Sequence, residues 1–155
     1  MTGDSPKEIE RKFLVAGELW RKKATNRSHI VQGYLARGRK ATIRIRIKDG
    51  RSATLTIKSR EPGASRSEFE YRVPLKHAKA MLELCGGAVI EKHRYEVPQG
   101  GRKWEIDVFG SPHEGLVIAE IELRAATEAL KLPAWVGEEV TDDPRYRNSS
   151  LVVPG

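Results

Sequence analysis

Glu8-Ile9-Glu10-Arg11-Lys12 is the stretch on which the fold turns. Ile9, Phe13 and Val15 alternate with charged positions, the pattern of a half-buried strand. Residues two apart on a strand point to the same face. Glu8, Glu10 and Lys12 therefore form one row, two carboxylates and then an ammonium. A single row of this kind can simply face water. Its weight comes from the later segments that repeat it.

Downstream, Ala16 to Arg27 reads as a short basic helix with Leu19 and Trp20 facing inward. His29–Leu35 is a strand. Thr42–Lys48 alternates strictly, three isoleucines against two arginines and a lysine. Asp49-Gly50 is a hairpin turn signal, and Ser52–Lys58 returns from it. Arg60–Ser67 reads as a loop around Pro62-Gly63. Glu68–Val73 alternates again. Pro74 opens a helix that runs to about Leu84 and stops at Gly86-Gly87. Val89–Val97, residues 103–108 and Leu116–Leu123 complete the strands, with turns at Pro98–Gly101 and around Pro112. Ala125 to Val140 suggests one or two helical turns broken at Pro133. Thr141-Asp142-Asp143-Pro144 has the form of a helix start, and a short helix through Tyr146 and Asn148 closes the chain.

At 155 residues the chain is expected to form one domain, 1–155, with no repeat, linker or low-complexity tract. About eight strands in meander order predict an α+β fold, mainly antiparallel β, with the sheet curled or closed into a barrel. The helices near 16–27 and 74–85 are expected to cover its apolar face. A net charge of +7 suggests an anionic partner. No apolar run approaches membrane-spanning length, and Met1–Lys7 lacks the apolar core of a secretory signal. One cysteine, Cys85, forms no internal disulfide, which fits a cytoplasmic protein. In its apolar helical setting it reads as a buried thiol.

The remaining question is what the charged face does. A solvated face laced with cross-strand salt bridges accounts for such a pattern. Two features favour an enclosed face instead. Glu-x-Glu recurs three times, at Glu8/Glu10, Glu68/Glu70 and Glu120/Glu122, and Arg44-x-Arg46 and Lys92-x-Arg94 recur beside them. Turned inward, these rows line a bore in which lysines and arginines hold phosphate oxygens. Carboxylate pairs there suit Mg²⁺ or Mn²⁺, hard cations that take oxygen ligands and bridge to phosphates. A nucleic-acid groove wants positive charge and stacking aromatics but not three acidic pairs, which argues against that partner. Trp20, Trp104 and Trp135 read as core. His29, His77, His93 and His113 show no metal-ligand spacing. Walker-type loops and serine-nucleophile motifs are absent.

Taken in order, Glu8-x-Glu10-x-Lys12, Gln32-Gly33-Tyr34-Leu35, Arg44-x-Arg46, Thr56-Ile57-Lys58, Glu68-x-Glu70, Lys92-His93-Arg94-Tyr95, Glu105-Ile106-Asp107-Val108-Phe109, Ala119-Glu120-Ile121-Glu122-Leu123 and Glu139-Val140-Thr141 resemble the CYTH superfamily of triphosphate tunnel metalloenzymes. The ordered set, spanning residue 8 to about 151, is specific where Glu-x-Glu-x-Lys alone is weak. The short length looks most like the bacterial inorganic triphosphatases. The resemblance implies an eight-stranded closed tunnel with a charged interior, helices outside, and metal-dependent hydrolysis of inorganic tripolyphosphate to pyrophosphate and phosphate. It implies a triphosphate clamp of Lys12, Arg44, Arg46, Lys58, Lys92 and Arg94. It implies metal ligation by Glu8, Glu10, Glu120 and Glu122, with Asp107 a further candidate. Glu10 and Lys12 are expected to be catalytic, as are Glu68 and Glu70, which order either a second metal or the attacking water. Adenylate cyclases and nucleoside or thiamine triphosphatases of the same superfamily, and a non-catalytic polyphosphate or nucleotide binder, stand as alternatives. A homodimer stays open. The family pattern has a lysine beside the tyrosine near the end, whereas this chain has Tyr146-Arg147-Asn148. The charge is kept with a different hydrogen-bonding geometry, and no role is assigned to Arg147.

Overall fold

The computed structural model describes residues 6–152. Its alternating segments form nine strands: β1 (Lys7–Val15), β2 (Asn26–Arg37), β3 (Ala41–Lys48), β4 (Ser52–Ser59), β5 (Ser65–Val73), β6 (Val89–Gln99), β7 (Arg102–Phe109), β8 (Val117–Glu122) and β9 (Val136–Glu139). The sheet order is β5-β4-β3-β2-β6-β7-β8-β1-β9, with β5 also pairing to β1, and every pairing is antiparallel. Strands β1 to β8 thus close into an eight-stranded barrel. The ring closes on β1. Its first half pairs with β5 (Glu8 with Arg66), and β9 takes over beside Phe13 and Val15. Its other edge pairs with β8, Glu10 opposite Glu122 and Lys12 opposite Glu120.

Local chemistry sets the turns. Asp49 and Gly50 have φ of 54° and 64°, the left-handed pair that a two-residue hairpin turn requires. Helix α1 (Leu75–Leu84) starts after Pro74 and ends at Gly86 and Gly87, both at positive φ, as a helix C-terminus favours. It packs on the outer face of β2, β3 and β4, where its Ala78 and the capping Cys85 meet Ile45, Ile47 and Ala53. Gly33 makes the close approach possible: a Cβ there would lie 2.6 Å from the Cys85 Sγ.

A second apolar cluster covers the outer face of β1 and β6–β8: Phe13, Trp20, Val97, Trp104, Ile106, Ala119, Ile121, Leu123 and Trp135. All three tryptophans are buried. The third cluster lies where the inward rows turn apolar at one barrel end. There Tyr34, Ile90, Phe109 and Ile118 meet Leu151 and Val152 of the C-terminal segment.

Several local expectations change. Residues 16–27 form not a helix but a 3-10 turn, Leu19–Lys23. Trp20 is buried, but Leu19 is 63% exposed, because a single short turn presents one side chain inward. Residues 125–135 contain no helix. They lead into β9, whose four residues are too few to show a period. The strands β2 and β5 begin earlier than the alternation suggests, at Asn26 and Ser65. The closing helix is split into a 3-10 turn Pro144–Tyr146, capped by Asp143 accepting from the Arg145 N–H, and α2 (Asn148–Leu151), with Arg147 extended between them. No helix among the described residues is long and apolar enough to cross a membrane.

Candidate active site

The barrel encloses a cavity of about 210 Å³. Strand parity builds its wall. Glu8, Glu10 and Lys12 enter from β1, Glu120 and Glu122 from β8, Arg44 and Arg46 from β3, Lys58 from β4, Glu68 and Glu70 from β5, and Arg94 from β6. In the closed ring β3 lies four strands from β8 by either route. The arginine pair therefore faces the β8 glutamates directly across the bore.

The acidic wall is tied to lysines. Lys58 Nζ lies 2.7 Å from Glu8, 3.6 Å from Glu68 and 3.9 Å from Glu10. Lys12 Nζ is 3.8 Å from Glu120. Burial, and then the nearby Glu120 charge, push the Glu10 carboxyl up to about 7 against the pull of Lys58 and Lys12. Burial also raises Glu8. Burial works against Glu120 too, but Lys12 and Arg94 outweigh it and hold that carboxyl down at about 2. Across the bore the imbalance is reversed. Arg44 reaches the Thr56 hydroxyl at 3.3 Å, and its buried Nε has no partner. Arg46 donates to Gln32 Oε1 at 2.8 Å. Burial, Arg44 and Arg94 push its guanidinium down to about 9. One wall is short of positive charge and the other short of negative charge.

Lys92 and Asp107 do not line the cavity. Both lie beneath its wall, 1% and 0% exposed. Lys92 Nζ donates to Asp107 Oδ2 at 2.7 Å and to Asn148 Oδ1 at 2.8 Å. Arg94 donates to both Asp107 oxygens, at 2.7 and 2.9 Å. Lys92 and Asp107, expected to clamp phosphate and to bind metal, thus face each other, Asn148 and Arg94, and in this arrangement Asp107 fixes the Arg94 guanidinium. Burial opposes the Asp107 charge, yet Arg94 and Lys92 hold that carboxyl well below its usual range.

The cavity also takes in residues to which no site role was assigned: Thr42, Thr56 and Glu105 on the inward rows, Arg60 from the β4–β5 connection, Arg66 at the start of β5, and Thr141, Arg147, Asn148 and Ser149 from the C-terminal segment. Parity with Arg44, Lys58 and Asp107 signals the first three. The others lie in connections, at the very start of β5 or in the short C-terminal elements, and carry no periodic signal.

The carboxylates of the acidic wall, Glu8, Glu10, Glu120 and Glu122, offer only oxygen donors, which suits Mg²⁺ or Mn²⁺. The deficit of positive charge around Glu10 fits a bound cation. As the side chains stand, no three acidic, His or Cys groups among the described residues gather closely enough to hold an ion. Lys58 and Lys12 draw the carboxylates to themselves instead. The site thus has the ligand chemistry for such an ion, with its carboxylates engaged by lysine.

A family model described as the CYTH domain matches residues 6–151. An inorganic triphosphatase of Acetivibrio thermocellus is 44% identical over 147 residues, covering 94% of this chain and 93% of that protein. One of Nitrosomonas europaea is 37% identical over 158 residues, covering 94% and 97%. A crystal structure of an inorganic triphosphatase superposes with a TM-score of 0.66 at 32% identity, covering 96% of this chain and all of that one.

Proposed function

This chain belongs to the CYTH domain family, and from that premise we propose that it hydrolyses inorganic tripolyphosphate to pyrophosphate and phosphate. The observation that carries the reading is the split cavity. Arg44 and Arg46, without an ion pair among the described residues, face a wall of glutamates interleaved with Lys12 and Lys58. A polyanion accompanied by a divalent cation answers both deficits together. The size of the cavity, about 210 Å³, favours a small inorganic anion. It falls below the roughly 300 Å³ at which drug-sized ligands are enclosed, so a nucleoside triphosphate would leave its base outside.

In this reading Arg44, Arg46, Lys12, Lys58 and Arg94 hold the phosphoryl oxygens, the guanidinium forks bidentately. Glu8, Glu10, Glu120 and Glu122 would hold Mg²⁺ or Mn²⁺. When bound, that ion neutralises charge on the transferred and leaving oxygens. Glu68 and Glu70 orient the attacking water and accept its proton. The water oxygen bonds to the terminal phosphorus, the bridging P–O bond breaks, and pyrophosphate leaves. Positioning and fixed charge supply the catalysis, as in phosphoryl transfer generally.

The test is a substrate panel of tripolyphosphate, ATP and thiamine triphosphate with Mg²⁺, Mn²⁺ and Ca²⁺, read for phosphate and cyclic AMP. Preferential phosphate release from tripolyphosphate is expected. Cyclic AMP from ATP, or tight binding without product under every metal, would displace the reading. Glu10→Gln and Lys12→Ala are each expected to lower kcat by about 10²–10³-fold.

A further inference from the structure

We infer that His29 and His93 form a transition-metal site on the outside of the barrel, taking Zn²⁺ or another divalent ion that prefers imidazole. The site lies on the opposite side of the barrel wall from the cavity and does not rest on the triphosphate reading.

Spacing along the chain hides the pair, because the two residues belong to different strands. The pairing of β2 with β6 sets them directly opposite each other. The His29 N–H donates to Asp49 Oδ1 and its carbonyl accepts from the Asp49 N–H, each at 2.8 Å. Both backbone groups thus point away from β6. On β6 the Glu91 carbonyl accepts from the Gly110 N–H at 2.9 Å, so His93, two residues on, also turns its backbone away from β2. The histidines therefore form the close kind of antiparallel pair, with no hydrogen bonds between them, Cα atoms about 4.5 Å apart and side chains adjacent. Alternation sends Arg94 into the cavity and leaves His93 outside with Glu91.

The rings agree with this placement. Their centres are 5.1 Å apart and their planes are tilted by 47°. Two imidazoles bound to one tetrahedral ion at about 2.0–2.1 Å hold their ring centres about 5 Å apart. Glu91 Oε1 stands 3.2 Å from His29 Nε2 and adds a negative charge beside the pair. The His29 side chain is 39% exposed and that of Glu91 61%, so an ion reaches them from solvent. As the side chains stand, no third ligand closes on the rings among the described residues, and water takes the remaining positions on the ion. Imidazole nitrogen selects Zn²⁺, Cu²⁺ and Ni²⁺ over Mg²⁺ and Mn²⁺, the reverse of the carboxylates inside the barrel. An ion here pins β2 to β6 from outside, behind Gln32 and Arg94 on their inner faces.

Titration of the full chain with Zn²⁺, in excess Mg²⁺ to fill the oxygen sites, measures the effect. Wild type is expected to bind Zn²⁺ and to rise in Tm. His29→Ala and His93→Ala are each expected to weaken Kd at least about 10-fold, the loss that even an outer partner of a metal ligand brings, and to lose the rise in Tm. His29→Gln and His93→Gln serve where an alanine form fails to fold. Electron paramagnetic resonance with Cu²⁺ is expected to show two nitrogen ligands in wild type and fewer in each variant. A wild type that takes no Zn²⁺ under excess Mg²⁺ overturns the inference. So does a Zn²⁺ affinity unchanged in either variant, or a wild-type copper spectrum with fewer than two nitrogen ligands. Phosphate release enters none of these readings, so failure of the triphosphate reading is distinguishable from failure here.

Discussion

At the scale of single residues, Asp107 has the most pointed consequence. It is fully buried between Arg94 and Lys92, and removing its charge leaves Lys92 without a carboxylate and Arg94 with only the longer pairs to Glu105 and Glu120, at 3.5 and 3.6 Å. Asp107→Asn is expected to destabilise the fold at neutral pH by about 3–5 kcal/mol. Its folded carboxyl is held below the ordinary 3.8. The stabilisation is therefore complete above pH 3.8 and is lost as pH falls toward the folded value. Melting curves from pH 7 down to pH 2.5 should show the gap between wild type and variant narrowing only below about 3.8. A constant gap would mean that the ion network is not its source. The inward rows of Glu8, Glu10, Lys12, Arg44 and Arg46 were legible because a two-residue period fixes which side chains share a face. The depth of Lys92 and Asp107 was not, because parity tells inward from outward but not wall from cavity. That distinction arises when Asn148, 56 residues away, reaches Lys92.

Among the elements, α1 shows how a turn signal and a glycine combine. Pro74 and Gly86-Gly87 mark its ends in the sequence, and the structure agrees. Nothing in the local sequence says that it lies on Gly33. Gly33→Ala forces a methyl against the Cys85 Sγ, an overpacking expected to cost about 1–3 kcal/mol. Cys85→Ala in the same chain should return part of it, and urea unfolding of the double-mutant cycle measures the coupling. The strand β9 was hidden for a different reason. Four residues give too short a pattern. It is held by its pairing to β1 and by the Arg11–Glu139 ion pair at 2.7 Å, contacts made across 128 residues of sequence. The 3-10 turn at Leu19 misled because one buried tryptophan, stacked edge-on to Tyr95 with ring centroids 5.0 Å apart, suffices to anchor it.

Over the whole molecule, the site draws on all eight strands of the barrel, β1 to β8, so a ligand there ties the barrel together. Tripolyphosphate at about 100 times its Kd adds roughly 2.7 kcal/mol, which for a chain of this size raises Tm by roughly 5–10 °C. Scanning fluorimetry should show one transition moved as a unit. A split transition would mean that the anion binds to a part that melts on its own. Closure also has a cost in time. β1 is synthesised first, yet Glu10 waits for Glu122. At about 5–20 residues per second that delay is on the order of ten seconds. Throughout it a nascent strand protrudes with an unpaired edge, the kind of template that recruits wrong neighbours. Its alternating Glu8, Glu10 and Lys12 make stray pairing unfavourable. The charges that finally face the bore first serve as gatekeepers for an unfinished chain.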